Sequence, residues 1–260
     1  MARRVTRLTD QADVVSERAP DVLALQEITT RTLPMWRRAC HDMSLSHVVT
    51  SLDAADPARQ PASRRRTGVL LAARMPARPV PGLRAPWPET VTGALVETRS
   101  APVEVHCVHV PNASNGWVKI ETLEAIRAGL AALPAAPRIL CGDLNTPRRE
   151  LPDGTVMSFG RDSRGRLRVE RGARWDAGEL GVVPGLRELG YSDAFRVLHG
   201  YARREPSWTW RQRAGHSGGW RLDHVFASAE LRPVRCAYHH AWRDEGLSDH
   251  SAVEADFELA

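Results

Sequence analysis

The stretch RILCGDLNTP, residues 138–147, begins as a buried strand and ends on two polar side chains two positions apart, Asp143 and Asn145. An apolar run that stops on an acid, an amide and a proline has two explanations. Asp and Asn bond their own backbone in turns, so Gly-Asp-x-Asn by itself is a turn device. Alternatively, the strand carries both side chains to the rim of a sheet, where a rigid scaffold holds them in a shared cleft. The rest of the chain decides between them.

Four other segments end in the same way. DVLALQE (21–27) stops on Glu27, and HCVHVPN (106–112) carries His109 and Asn112. WRLDHVF (220–226) carries Asp223 and His224, and GLSDHSAV (246–253) carries Asp249 and His250. Each alone has a plain structural role. Glu27 would serve as an acid in the first turn of a helix, His109 as a satisfied core histidine, and Ser248-Asp249-His250 as capping chemistry. Trp208, Trp210 and Trp220 read as packing residues, and His239 and His240 as surface residues without an evident partner. Five polar strand ends in one chain favour a shared site.

The residue types match phosphoester hydrolysis. A hard divalent ion such as Mg2+, with Mn2+ as a substitute, takes oxygen ligands and keeps several waters; Glu27 supplies such a carboxylate. Asp143 is suited to orient and deprotonate a water. Asn145 and Asn112 offer amide donors to phosphate oxygens. His250 can donate to the phosphate, with Asp223 fixing its tautomer and stabilising its cation.

The chain has 260 residues, 42% of them hydrophobic, enough for one domain with a sizeable core. No fixed-period repeat interrupts it, and the Pro/Arg/Ala-rich residues 53–66 read as a surface loop within a single domain spanning 1–260. The opening residues 1–20 are charged throughout and lack a signal-peptide core, and no segment approaches a bilayer-spanning length. Cys40, Cys107, Cys141 and Cys236 are scattered, with no Cys-x-x-Cys pair to hold zinc. A reduced, cytoplasmic protein is expected. The net charge of +5 suits a polyanionic partner. Because Lys119 is the only lysine, that charge is almost all arginine, which genomic base bias can also produce.

Helical spacing predicts helices over 7–18 and 117–133, the latter through Val118, Leu123, Ile126, Leu130 and Leu133, with a short one at 184–190. Strands are expected at 67–73, 93–99, 103–110 and 138–143, with closely spaced ones near the C-terminus, and a hairpin about Ser163-Arg164-Gly165. The pattern predicts a layered α/β protein.

The order of LALQE, HVPN, CGDLN, GWRLDHVFAS and LSDHSAV resembles the endonuclease/exonuclease/phosphatase superfamily from about residue 7 to the end. The resemblance implies a four-layer α/β/β/α sandwich of two mixed sheets packed face to face, with the active site at one end. It makes Glu27 a metal ligand and Asp143 the residue that activates water, with Asn145 its phosphate-contacting partner. Asp223 holds the catalytic histidine, Asp249 and His250 form the Ser-Asp-His pair, and Asn112 belongs to the Pro-Asn turn of the abasic-site nucleases. His109 stands where the exonuclease III-like branch carries a tyrosine. The strand with which family members open, bearing a Trp-Asn or Phe-Asn motif, has no counterpart; a start upstream of residue 1 is the expectation.

A Mg2+-dependent phosphodiesterase acting on DNA or RNA is therefore expected, with the Arg-rich residues 160–174 as a candidate phosphate contact. A phosphatase or phosphodiesterase for a small molecule or lipid headgroup is the alternative, and an inactive paralogue serving as a binding module is a third.

Overall fold

In the computed structural model, residues 5–53, 67–81, 83–211 and 217–259 are described; most of the loop expected at 53–66 lies outside them. Helix α1 (Leu8–Ser16) leads into β1 (Val22–Thr29), followed by α2 (Leu33–Asp42), β2 (His47–Thr50), β3 (Thr67–Ala73) and β4 (Ala77–Pro79). Then come β5 (Val91–Val96), β6 (Val103–His109), α3 (Val118–Ala132) and β7 (Arg138–Asp143). Two short strands, β8 (Arg149–Glu150) and β9 (Val156–Met157), precede α4 (Gly172–Leu180), β10 (Ser192–Asp193) and α5 (Ala194–His199). The chain closes with β11 (Trp208–Arg211), β12 (Ser217–Trp220), β13 (Asp223–Ala227), β14 (Leu231–His239), α6 (His240–Asp244) and β15 (Ala252–Leu259).

Six strands form one sheet in the order β10-β13-β7-β6-β5-β4. The expected mixed character resides here, because β6 and β7 run parallel while the other pairs are antiparallel. The parallel pair needs a crossover, and α3 supplies it. The facing layer is antiparallel and divided into a three-stranded sheet, β1-β3-β2, and the β14-β15 pair.

Alternation along the strands builds the layers. Val69 and Leu71 of β3 meet Val96, Val103 and Val105 of the larger sheet, filling the space between sheets. Leu70 and Ala72 point the other way and bury Trp36 and Cys40 of α2 and Leu8 of α1. On the far side, Ile120, Leu123, Ile126 and Leu130 of α3 pack on Leu140 and Phe226. Each such large apolar side chain contributes about 1.5–3 kcal/mol through burial. The helices are thus outside and the sheets inside. The predicted helix at 7–18 appears as α1, and that at 184–190 as a 3-10 turn, Gly185–Leu189.

β1 has β3 on one side and β15 has β14 on one side; among the described residues neither has a second strand partner. Both line one groove of about 1190 Å3, floored by apolar residues such as Val105, Ile139 and Val225.

Candidate active site

One end of this groove gathers the polar strand ends. β6, β7 and β13 are adjacent, and their register sets His109 opposite Asp143 and Asp143 opposite Asp223. Residues opposite one another project on the same face, so the three form a row across the sheet. Gly142 makes the approach possible: its φ is +135°, and an added Cβ would fall on the carbonyl oxygen of Val108 in β6.

Beyond the strand the chain turns through Asn145, whose φ of +51° is left-handed. The backbone N–H of Asn145 donates to Asp143 Oδ1 at 2.8 Å. Its side-chain amide donates to Val110 O at 2.8 Å and Asp143 Oδ2 at 3.1 Å. The backbone N–H and one side-chain amide hydrogen of Asn145 thus orient Asp143, and the other amide hydrogen anchors Asn145 to Val110, just past the end of β6. Burial pushes the Asp143 carboxyl up to about 7; the His250 cation opposes this, while Asp223 and Glu27 reinforce it.

His250 Nδ1 and Asp223 Oδ2 lie 2.7 Å apart. Burial works against the imidazolium, yet Asp223 and then Asp143 raise His250 to about 10. Burial likewise works to raise Asp223, but the His250 cation and its hydrogen bond hold it below the usual carboxylate range. The Asp223 backbone is pinned by Ser207 Oγ, which accepts from its N–H, and by the Tyr238 hydroxyl, which donates to its carbonyl. His109 Nε2 is 3.8 Å from Asp143 Oδ2, and burial brings its pKa down to about 4. It is a neutral imidazole at pH 7.

Glu27 is not the end of its strand. β1 runs on to Thr29, but its register with β3 shifts between Leu25 and Ile28, and Glu27 takes a φ of +60°. The bulge re-aims the side chain toward the groove that also holds His109, Asp143, Asp223, Asp249 and His250. Asp249 is exposed at its rim. Asn112 has a local duty as well: its Oδ1 accepts from Ser114 N–H and from Asn115 Nδ2.

The donor set fits a hard divalent cation. Polar atoms of Asp143, Asp223 and His250 come within 4.8 Å of one another, and with His250 protonated and bonded to Asp223 the oxygen donors facing this space are those of Asp143, Glu27 and Asp249. Burial is the main reason the Asp143 carboxyl is raised, and Asp223 and Glu27 add to it; positive charge in the groove would favour its ionised form.

Three buried side chains hold the turn after Asp143, of which Lys119 and Glu179 are assigned no role from the sequence. Lys119 Nζ donates to Asn145 O at 2.8 Å and to Glu179 Oε1 at 2.6 Å. Glu179 also accepts from Thr146 Oγ1, Trp175 Nε1 and Phe159 N. His224 reaches Thr146 O at 2.9 Å while its other ring nitrogen meets Asp193.

Two surface expectations are corrected. His239 pairs with Glu254 at 2.7 Å, and His240 bonds Ser251 and Glu205, because β14 and α6 pack against the last strand. Trp208, Trp210 and Trp220 stack on one another on the β11–β12 hairpin, with Trp208 bridging to the backbone of His250.

The family model described as Endonuclease/Exonuclease/phosphatase matches residues 1–250. A zebrafish (Danio rerio) protein, DNA repair nuclease APEX1, is 33% identical over 139 residues, which is 49% of this chain and 40% of that protein. The chain thus matches less than half the length of that curated relative. Among solved structures, an AP endonuclease from Archaeoglobus fulgidus aligns with a TM-score of 0.72 and 21% identity, covering 99% of this chain and 97% of that one. Danio rerio TDP2 complexed with single-strand DNA product aligns with a TM-score of 0.63 and 15% identity, covering 97% and 92%. These two likenesses show the fold. Among the described residues, no helix is long and apolar enough to cross a membrane.

Proposed function

Because the chain belongs to the Endonuclease/Exonuclease/phosphatase family, we propose that it is a divalent-metal-dependent phosphodiesterase that cleaves nucleic acid, and that residues 1–260 work as one domain. The observation that carries this is the transverse row His109, Asp143 and Asp223, with His250 locked to Asp223 at 2.7 Å. This arrangement supports reading Asp143 as a base and His250 as a cationic donor in the same groove.

Asp143, oriented by Asn145, positions an attacking water and accepts its proton. The His250 imidazolium donates to a non-bridging phosphate oxygen and stabilises charge as it develops. Asp223 keeps His250 charged and in the right tautomer. Neutral His109 supports the water from the other side of Asp143. Glu27 and Asp249, with Asp143 close by, would hold Mg2+ or Mn2+, which neutralises phosphate charge and acts as a Lewis acid when bound. Asn112, whose Oδ1 is taken by Ser114 and Asn115, is read as a phosphate donor through its side-chain N–H groups.

DNA-directed relatives and the positive charge favour a nucleic-acid substrate. His109, in place of the tyrosine of the exonuclease III-like branch, favours a small phosphate ester as the second reading. A panel separates them: plasmid DNA, an abasic-site duplex, single-stranded RNA, a simple diester and a monoester, with and without Mg2+, for wild type and His250→Ala. Metal- and His250-dependent cleavage of a nucleic acid is expected. Turnover confined to the small esters would move the assignment to the phosphatases.

A further inference from the structure

The arginine-rich segment that follows Asn145 has a feature that solvation alone does not explain. Arg148 Nη1 and Arg168 Nε both donate to a single acceptor, the carbonyl oxygen of Arg161, the latter at 3.3 Å. Two guanidinium groups are thereby held against each other. Arg171 joins them: its Nη1 donates to Phe159 O, and its guanidinium lies 4.7 Å from the Trp175 ring centre.

Neighbouring arginines are closely paired with carboxylates, whereas Arg148 and Arg171 are not and Arg168 has only one distant partner. Arg161 is paired with Asp176 through two hydrogen bonds, and Arg166 with Asp162 at 3.0 Å. Among the described residues no carboxylate is within ion-pair distance of Arg148 or Arg171, and Arg168 has only Glu170 at 3.6 Å. Burial, followed by the charges of Arg168 and Arg171, pulls Arg148 below the usual arginine range, with Asp162 opposing. Three half-buried like charges, pre-positioned by backbone carbonyls, are stable company for an anion. Guanidinium forks suit phosphate in particular.

The cluster is rigidly joined to the catalytic end. Arg148 is three residues from Asn145. Phe159, which carries the Arg171 contact, gives its N–H to Glu179, the carboxylate that fixes Lys119 beneath Asn145. The Phe159 ring stands edge-on to Trp220 at 4.9 Å, and Trp220 stacks on Trp208 beside His250.

We propose that Arg148, Arg168 and Arg171 form a second phosphate subsite, which grips a backbone phosphate of a polynucleotide strand flanking the scissile one. This rests on the nucleic-acid reading above. It gives the enzyme a preference for polymers over isolated esters through binding, not through the chemical step.

The test pairs two measurements on wild type, Arg148→Gln/Arg168→Gln and Arg148→Lys/Arg168→Lys. Affinity for a fluorescent oligonucleotide is measured by anisotropy without divalent cation, over about 50–200 mM salt, where each phosphate contact adds roughly 0.9 to the salt slope. Turnover of a small diester is measured with Mg2+. The Gln pair should bind about ten-fold more weakly with a slope shallower by about one, and turn over the small diester normally. The Lys pair should retain the slope. An unchanged slope and affinity in the Gln pair, while the wild type cleaves the oligonucleotide, overturns the subsite alone. A wild type that turns over the small diester yet neither binds nor cleaves the oligonucleotide overturns the nucleic-acid reading and the subsite with it. Melting curves check folding, and the single change Arg168→Gln, at a partly exposed side chain, repeats the test if the pair is unstable.

Discussion

The Nδ1 of His250 faces the Asp223 carboxylate at 2.7 Å, which commits Nε2 to whatever enters the groove and keeps the ring charged. Its pKa of about 10 places the loss of the catalytic proton well above neutrality. Asp223→Asn should bring the alkaline limb of the pH–rate profile down by more than one pH unit and lower turnover by roughly 100-fold, a typical share for acid–base catalysis. His250→Ala should remove that limb altogether. A variant Asp223→Asn with an unmoved limb would mean another group supplies the proton.

The same pair makes a stability prediction of fixed sign. The folded pKa of His250 lies above its ordinary value of 6.5, so its contribution is complete below that pH and is lost as pH rises through about 10. The Tm difference between wild type and Asp223→Asn should therefore be largest at and just below pH 6.5 and shrink progressively as pH rises toward about 10. A difference that grows with alkalinity would contradict the charge assignment.

Asp143 carries the metal prediction. With its carboxyl pushed up to about 7 by burial, full ionisation at pH 7 is unfavourable without added positive charge. Mg2+ or Mn2+ should raise Tm at pH 8, since a ligand that binds only the folded state stabilises it by mass action. The rise should diminish at pH 5, where Asp143 holds its proton, and be reduced in Glu27→Gln and Asp143→Asn. Calorimetric scans with and without a chelator read this directly, independent of turnover.

Lys119 separates support from catalysis. It is fully buried between Asn145 O and Glu179. Lys119→Met strands the Glu179 carboxylate, and breaking a buried pair costs about 3–5 kcal/mol. In Lys119→Met/Glu179→Gln the stranded charge is gone, so most of that stability should return. Turnover should not, because Asn145 O still lacks its donor and the turn that orients Asp143 is looser. Chemical denaturation together with kcat and KM distinguishes the two effects. Recovery of both in the double variant would make Lys119 purely structural.

The parts of this site that sequence reveals are those where polarity interrupts an apolar run. Asp143 and Asp223 sit on the last and first residues of β7 and β13, and His109 ends β6, so alternation and its breaking expose them. The bulge at Glu27 leaves no such trace: LQEIT reads as a strand that stops, whereas it continues after a local shift. Lys119 and Glu179 are hidden because charged residues on helices usually face water. The available signal is that Lys119, the chain's single lysine, shares the helical face of Leu123, Ile126 and Leu130. Glu179 gathers partners 20 to 60 residues away, a convergence that only the packing of α3 against α4 creates. The divided layer is equally remote, since β1 and β15 come from opposite ends of the chain.

Gly142 provides a test of how closely the row of side chains depends on backbone contact. Its φ of +135° lies outside what L-residues readily adopt, and a Cβ there would overlap the Val108 carbonyl oxygen. Gly142→Ala must therefore either push β6 from β7 or rotate the peptide that leads into Asp143. Backbone strain of this kind costs about 1–3 kcal/mol, before the overlap is counted. Tm should fall accordingly. Because His109 and Asp143 are opposite one another across that same pair of strands, turnover should fall more steeply than stability. A variant Gly142→Ala that melts lower yet retains full kcat would show that the His109–Asp143 register is not needed for the reaction.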